Sequence, residues 1–233
     1  MDSAIISFQN VSKRYLFKDA VQHLSFDLPA GKVIGFIGAN GSGKTTTFKL
    51  MTGLLKPNSG QILFKNQLVH RRMARHMSYL SDAGAVYDFY TIRQMLNYYT
   101  GIYEDFKGDK ALEILEFMQL DASQRVATLS KGNLGRLKIV LAISRQVPLI
   151  VMDEPLSGLD PLVRQSILKG LISFVDLDYQ TVVLSTHEVT EVEPLLDTVI
   201  LLDHGQVKAR DDTEHIRETF GGSIVEWMKQ TLA

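Results

Sequence analysis

The residues best equipped for chemistry begin with Gly38-Ala39-Asn40-Gly41-Ser42-Gly43-Lys44-Thr45, which fits the pattern G-x-x-x-x-G-K-[ST]. Glycines let the backbone curl so that successive N–H groups face one concavity. A helix begun there adds its positive end, so a polyphosphate meets donors and a favourable field together. Lys44 supplies a mobile charge for the β- and γ-phosphates. The Thr45 hydroxyl stands where it can ligate a Mg²⁺ that bridges them, and Thr46 is at most a helper. The plainer reading is an ordinary glycine turn before a helix.

Two further groups end apolar runs. Val147-Pro148-Leu149-Ile150-Val151-Met152 closes on Asp153-Glu154, and Thr181-Val182-Val183-Leu184-Ser185-Thr186 closes on His187. Runs of this composition suit strands buried on both faces of a parallel sheet, where ligands sit beyond the carboxyl ends of the strands. Asp153 is then the candidate for holding Mg²⁺ through water, and Glu154 for polarising an attacking water. A solvated acidic turn is the plain alternative for the pair. A lone histidine is commonly structural, yet at the end of such a strand His187 can reach a γ-phosphate as a donor.

These groups need elements to place them. Val33-Ile34-Gly35-Phe36-Ile37 reads as a buried strand entering the glycine loop, and Thr46-Thr47-Phe48-Lys49-Leu50-Met51 as a helix leaving it. Before the loop, residues 5–11 and 21–28 read as strands, with 13–17 linking them. After it, the turn signal Lys56-Pro57-Asn58-Ser59-Gly60 precedes a strand over 61–65. From about 87 to 128 the periodicity becomes helical: Thr91 caps a segment through Tyr103, Asp109 caps 110–118, and Tyr98, Tyr99 and Tyr103 serve packing. Residues 198–203 and 206–210 read as a hairpin about His204-Gly205, and 213–233 as a terminal helix with Trp227 packed. The expectation is one α/β domain over 1–233, with a nucleotide-binding core, an antiparallel β portion at its start and an inserted helical subdomain.

Bulk composition narrows the partners. With 233 residues, 45% of them hydrophobic, the chain can bury a large core. A net charge of −1, from 25 basic and 26 acidic residues, gives no basic field for nucleic acid. No cysteine is present, which removes disulfides and thiolate metal sites, and the six histidines show no paired metal spacing. No apolar run approaches the ~18 residues of a spanning helix, and the start lacks a leader pattern. The expected location is cytoplasmic, peripheral on the inner face of the membrane through a partner.

Taken together, the chain resembles an ATP-binding cassette ATPase over nearly its whole length. Besides the glycine loop and Asp153-Glu154, Leu129-Ser130-Lys131-Gly132-Asn133 with Arg136 resembles the family's signature segment. Ser157-Gly158-Leu159-Asp160 resembles its D-loop, and His187 its switch histidine. The resemblance implies a head-to-tail dimer, homomeric or heteromeric, with ATP held between one subunit's phosphate loop and the other's signature segment. Ser130 and the N–H groups from Gly132 onward would start a helix aimed at the partner's γ-phosphate. Tyr15 alone reads as edge-strand packing; the resemblance implies that it stacks on adenine.

Two positions depart from the family pattern. Lys131 replaces a glycine, and its side chain either leans on phosphate or projects into water. Asp82 replaces the glutamine expected after Tyr79-Leu80-Ser81, and two geometries follow: Asp82 reaches Mg²⁺ through water, or it stays back in the loop for contact with a membrane partner. The second is favoured, since Asp153, Thr45 and phosphate oxygens already supply much of an octahedral shell. With the Ser-Lys-Gly signature and Tyr103-Glu104-Asp105-Phe106, these departures resemble the branch serving multi-subunit exporters of peptides and toxins. The resemblance implies the ATPase subunit of an exporter whose membrane-spanning subunits are separate chains. The alternative is a soluble cassette acting on ribosomes or nucleic acid, for which a second cassette, a coiled-coil insertion or a basic surface is missing. A regulatory subunit that binds nucleotide without turnover is disfavoured by the presence of both Lys44 and Glu154.

Overall fold

The computed structural model describes residues 4–81, 86–220 and 222–232. Its centre is a six-stranded sheet. In chain order its strands are β3 (Val33–Ile37), β6 (Met77–Leu80), β7 (Leu149–Met152), β8 (Thr181–Thr186), β9 (Thr198–Asp203) and β10 (Gln206–Asp212), arranged 10-9-3-8-7-6. All neighbours run parallel except β10, which returns antiparallel beside β9. The apolar runs are what a sheet covered on both faces requires. Side chains alternate between two cores: Ile34 and Phe36 face one, Ile37 the other.

The first core lies under a four-stranded antiparallel sheet, order 2-1-4-5, made of β1 (Ala4–Tyr15), β2 (Lys18–Pro29), β4 (Ser59–Phe64) and β5 (Gln67–Leu68). It also holds the apolar face of α1 (Lys44–Met51), through Phe48, Leu50 and Met51. An aromatic ladder crosses it: Phe8 stacks on Phe26 at 4.5 Å, Phe26 meets Phe36 at 5.8 Å, and Phe36 meets Phe48 at 5.2 Å. Such contacts are geometrically selective. The ladder therefore fixes α1, and with it the glycine loop, against both sheets.

The second core carries the helices α2 (Ile92–Ile102), α3 (Gly108–Phe117), α4 (Lys131–Ile143) and α5 (Pro161–Phe174), then the short α6 (Val189–Val192), α7 (Thr213–Thr219) and α8 (Ile224–Leu232). A full capping box starts α2: Thr91 Oγ1 accepts from the Gln94 amide, and the Gln94 side chain accepts from the Thr91 amide. Tyr98, Tyr99 and Tyr103 pack partly buried against this core, and burial pushes the Tyr99 hydroxyl up to about 12.

Some expectations change. Residues 13–15 are not a link but the end of β1: Lys13 pairs with Val21, Arg14 with Asp19, and Tyr15 with Lys18, leaving Leu16-Phe17 as the turn. Main-chain pairing holds this polar ribbon without an apolar face. Asp109 is not the cap of α3, which begins at Gly108 after Lys107; it sits in the first turn, where its charge still suits the helix dipole. The terminal helix is two helices, broken where Gly222 takes φ +106. Trp227 is buried as expected.

One buried cation stitches the helical elements to the sheet. Arg145 donates from Nε and Nη2 to the Asp105 carboxylate, both at 2.7 Å. It also donates to the carbonyls of Met77 and Arg75, and lies 4.0 Å over the Tyr103 ring. The Tyr103–Phe106 stretch thus has a structural task beside β6. Replacing Arg145 with methionine strands a carboxylate and two carbonyls. A loss of about 3 kcal/mol is expected on the usual cost of breaking a buried pair. Urea unfolding checks it: a midpoint shift worth less than ~1 kcal/mol at unchanged slope would show that the guanidinium is dispensable.

Candidate functional site

Strand order explains the site. Strands β3, β8 and β7 are adjacent and parallel, so the glycine loop after β3, His187 after β8 and Asp153-Glu154 after β7 leave the same edge of the sheet side by side. Residues more than a hundred positions apart meet for that reason alone.

The loop is shaped by its glycines. Gly38 has φ +152, and a Cβ there would lie 2.1 Å from the Leu202 carbonyl oxygen. Gly43, at φ +109, passes so close to the Ala20 carbonyl that a Cβ would sit 2.6 Å from it. No other residue type fits these turns. The loop is tied down from outside: the Gly205 amide donates to the Ser42 carbonyl, and the Gln22 amide to the Gly205 carbonyl. Ala39, Asn40 and Gly41 stay exposed, as does Thr45, while Thr46 is half-buried. The Ser42 side chain is buried, and its hydroxyl has no protein partner. A buried, unpartnered hydroxyl in a loop of inward-curled amides is what a phosphate-binding cradle requires.

Lys44 is 6% exposed. Its Nζ donates to the Gly38 and Ala39 carbonyls, at 2.7 and 3.2 Å, and stands 3.3 Å from Glu154 Oε1. That contact is an ion pair rather than an aligned hydrogen bond, since Oε1 is buried without a hydrogen-bond partner. The other oxygen, Oε2, lies 2.7 Å from His187 Nδ1. Against a carboxylate Nδ1 acts as the donor, and Nε2 faces Glu188, 3.8 Å away. Glu154 is therefore held between a lysine and a histidine.

Its backbone is as constrained as its side chain. Glu154 has φ +50, a left-handed conformation costing a non-glycine residue about 1–2 kcal/mol. Ser185 stabilises it with one hydroxyl, which accepts from the Glu154 amide at 2.8 Å and donates to Asp153 Oδ1 at 2.7 Å. Asp153 is buried, and its amide donates to the Leu80 carbonyl. Beside it the Tyr79 hydroxyl is buried; burial first, then the Asp153 charge, hold its ionisation far above the usual tyrosine range. With Oδ1 occupied, the other Asp153 oxygen and the Thr45 hydroxyl are the hard oxygens on offer. No cluster of three or more His, Cys, Asp or Glu suited to a metal occurs among the described residues. Two protein oxygens fit a magnesium ion, which keeps waters and takes substrate phosphate oxygens, and do not fit a metal caged by protein alone.

The signature-like segment borders the groove that Asp153 and Glu154 line. Ser130 is exposed at the start of α4, where its Oγ accepts from the Asn133 amide at 3.2 Å; the Asn133 side chain in turn accepts from Arg136. Among the described residues it shares no hydrogen bond or ion pair with the glycine loop. This segment packs on the D-loop-like turn and the start of α5 of its own chain: a Cβ on Gly132 would lie 2.9 Å from Val163, and one on Gly158 2.1 Å from Lys131 Nζ. Lys131 is exposed with its Nζ lying against Gly158, and with Asp153 and Glu154 it lines a groove of about 290 Å³. Tyr15 belongs to neither core, and its ring stays 45% exposed near Lys13. Asp82 lies outside the described residues.

Fold and loop together define a P-loop nucleotide-binding ATPase. The ABC transporter family matches residues 21–157. The Nod factor export ATP-binding protein I of Burkholderia orbicola is 33% identical over 97% of this chain and 77% of its own length. The bacitracin transport ATP-binding protein BcrA of Bacillus licheniformis is 30% identical over 93% of this chain and 72% of its own. A solved ATP-binding subunit of an ABC transporter superposes with a TM-score of 0.86 at 26% identity, covering 98% of this chain and all of the other. The chain belongs to the ABC transporter family and is an ATP-binding ATPase of it. No helix among the described residues is long and apolar enough to cross a membrane, and cassettes of this family dimerise and work with membrane transporter subunits.

Proposed function

We propose that this chain powers an exporter whose membrane-spanning subunits are separate chains, by closing head-to-tail on a second cassette around ATP. The observation that supports the reading is the convergence of Lys44, Asp153, Glu154 and His187 on one sheet edge, while Ser130, exposed at the N-terminus of α4, shares no hydrogen bond or ion pair with the glycine loop among the described residues. The exposed start of a 13-residue helix, with the positive end of its dipole, is one half of an anion site. A partner's nucleotide supplies the other half. Export as the direction is supported by the relative named for Nod factor export.

In this reading the triphosphate enters the glycine loop and draws Lys44 from Glu154 to its β- and γ-phosphates. Thr45 and Asp153 would hold Mg²⁺, which when bound would neutralise phosphate charge. Glu154, released from Lys44 but still beside His187, accepts a proton from the attacking water. His187 turns its ring to the γ-phosphate, and Tyr15 stacks on the base through its open face.

The absence of cysteine makes the dimer testable. Asn40→Cys combined with Ser130→Cys should form a disulfide-linked dimer with ATP under conditions of slow hydrolysis, and little without nucleotide. Cross-linking indifferent to ATP, or none at all, would reject the head-to-tail arrangement.

A further inference from the structure

Arg164, in the first turns of α5, is 14% exposed at its side chain and joins three segments. Its Nε donates to the Leu159 carbonyl at 2.7 Å, inside the D-loop-like turn. Its Nη1 donates to both Glu188 and Glu191, on the segment that carries His187. Glu191 keeps its other oxygen buried with no hydrogen-bond partner, so the guanidinium is the group that satisfies this carboxylate. The His187 segment is otherwise pinned locally: the Glu188 amide donates to Thr186 Oγ1 at 2.9 Å, and Val189 and Val192 are buried.

Followed around, these contacts close a ring. The Glu154 carbonyl accepts from the Ser157 amide, the turn runs on to Leu159, and Leu159 is held by Arg164. Arg164 holds Glu188, the residue after His187, and His187 Nδ1 returns to the Glu154 carboxylate at 2.7 Å. Between the turn and the histidine segment, Arg164 is the side chain that closes the ring. A shift of the turn, which faces the start of α4 and so the surface on which a second cassette would close, must move the guanidinium or break one of its bonds.

We propose that Arg164 is a positioning residue that makes the placement of His187 against Glu154 depend on the conformation of residues 157–160. The proposal rests on the catalytic reading of Glu154 and His187 given above. It adds that the acids Glu188 and Glu191 transmit the position of the turn to the histidine. A residue that only anchors α5 would alter stability and leave turnover of the folded protein unchanged.

The test is a double-mutant cycle on kcat and KM for ATP, with nucleotide binding by the monomer as the check on folding. Arg164→Met is expected to lower kcat by about 10- to 100-fold with KM little changed, the cost of an ångström-scale misplacement of a reacting group. In a His187→Ala background the same substitution should change kcat by no more than about two-fold, because it acts through a histidine already gone. Glu188→Gln with Glu191→Gln should reproduce the effect, and decides the matter if Arg164→Met does not fold. Unchanged kcat, or effects that multiply in the His187→Ala background, would overturn the role of Arg164 alone. Wild-type turnover by His187→Ala would remove the catalytic reading of His187 and this inference with it.

Discussion

Glu154→Gln is expected to retain ATP binding and to hydrolyse ATP about 10²- to 10⁴-fold more slowly, the usual worth of a general base. Glutamine has the shape of glutamate but cannot take a proton from water. Two contacts argue that the rest of the site survives the change. Lys44 keeps its bonds to the Gly38 and Ala39 carbonyls, and the amide oxygen can still accept from His187 Nδ1. The strained backbone at residue 154 is secured by Ser185, not by the carboxylate. Removal of the 3.3 Å ion pair also frees Lys44 for phosphate, so ATP affinity should not fall. ATP-bound dimers should therefore accumulate, and sedimentation velocity with ATP and Mg²⁺ would show them. Turnover close to that of the unaltered chain would move the proton acceptor to another residue.

How much of this site was legible depended on the kind of signal each part carries. The glycine loop, β3, β7, β8 and the hairpin of β9 and β10 announce themselves because both-face burial forces continuous apolar runs, and polar residues that end them have few structural uses. Four-residue β6 carries no legible signal, since it follows the arginine-rich turn Arg71–His76 and is too short for any period to show. Helix α5 is absent from the sequence expectation although its signals are present: Asp160 caps it, Pro161 starts it, and Val163, Ile167 and Leu171 repeat at helical spacing. Arg145 and Arg164 carried no signal at all. Their partners lie 40 and 24–27 residues away, and only the packing of helices on the sheet brings them together. Lys131 and Asp82 were legible as departures from a pattern, which is a different thing from a role. The resting place of Lys131 against Gly158 follows from how tightly the start of α4 approaches the turn before α5.

Ser130→Arg should abolish most ATP turnover, by about 10²-fold or more, while each monomer still binds ATP through its own glycine loop. The argument is spatial and electrostatic. Ser130 is the exposed N-cap of a 13-residue helix, and its hydroxyl accepts from the Asn133 amide. An arginine there removes the cap, places a cation at the positive end of the dipole, and fills the surface on which a second cassette's nucleotide would rest. The lost cap alone is worth about 1 kcal/mol, which Ser130→Ala reproduces without the added bulk. Ser130→Ala should therefore fold with a slightly lower unfolding midpoint and turn over far faster than Ser130→Arg. Binding should separate from catalysis in the arginine variant, because Lys44, Thr45 and Asp153 share no described contact with Ser130. Monomers of Ser130→Arg that cannot bind ATP would place this serine in the pocket of its own chain and end the head-to-tail model.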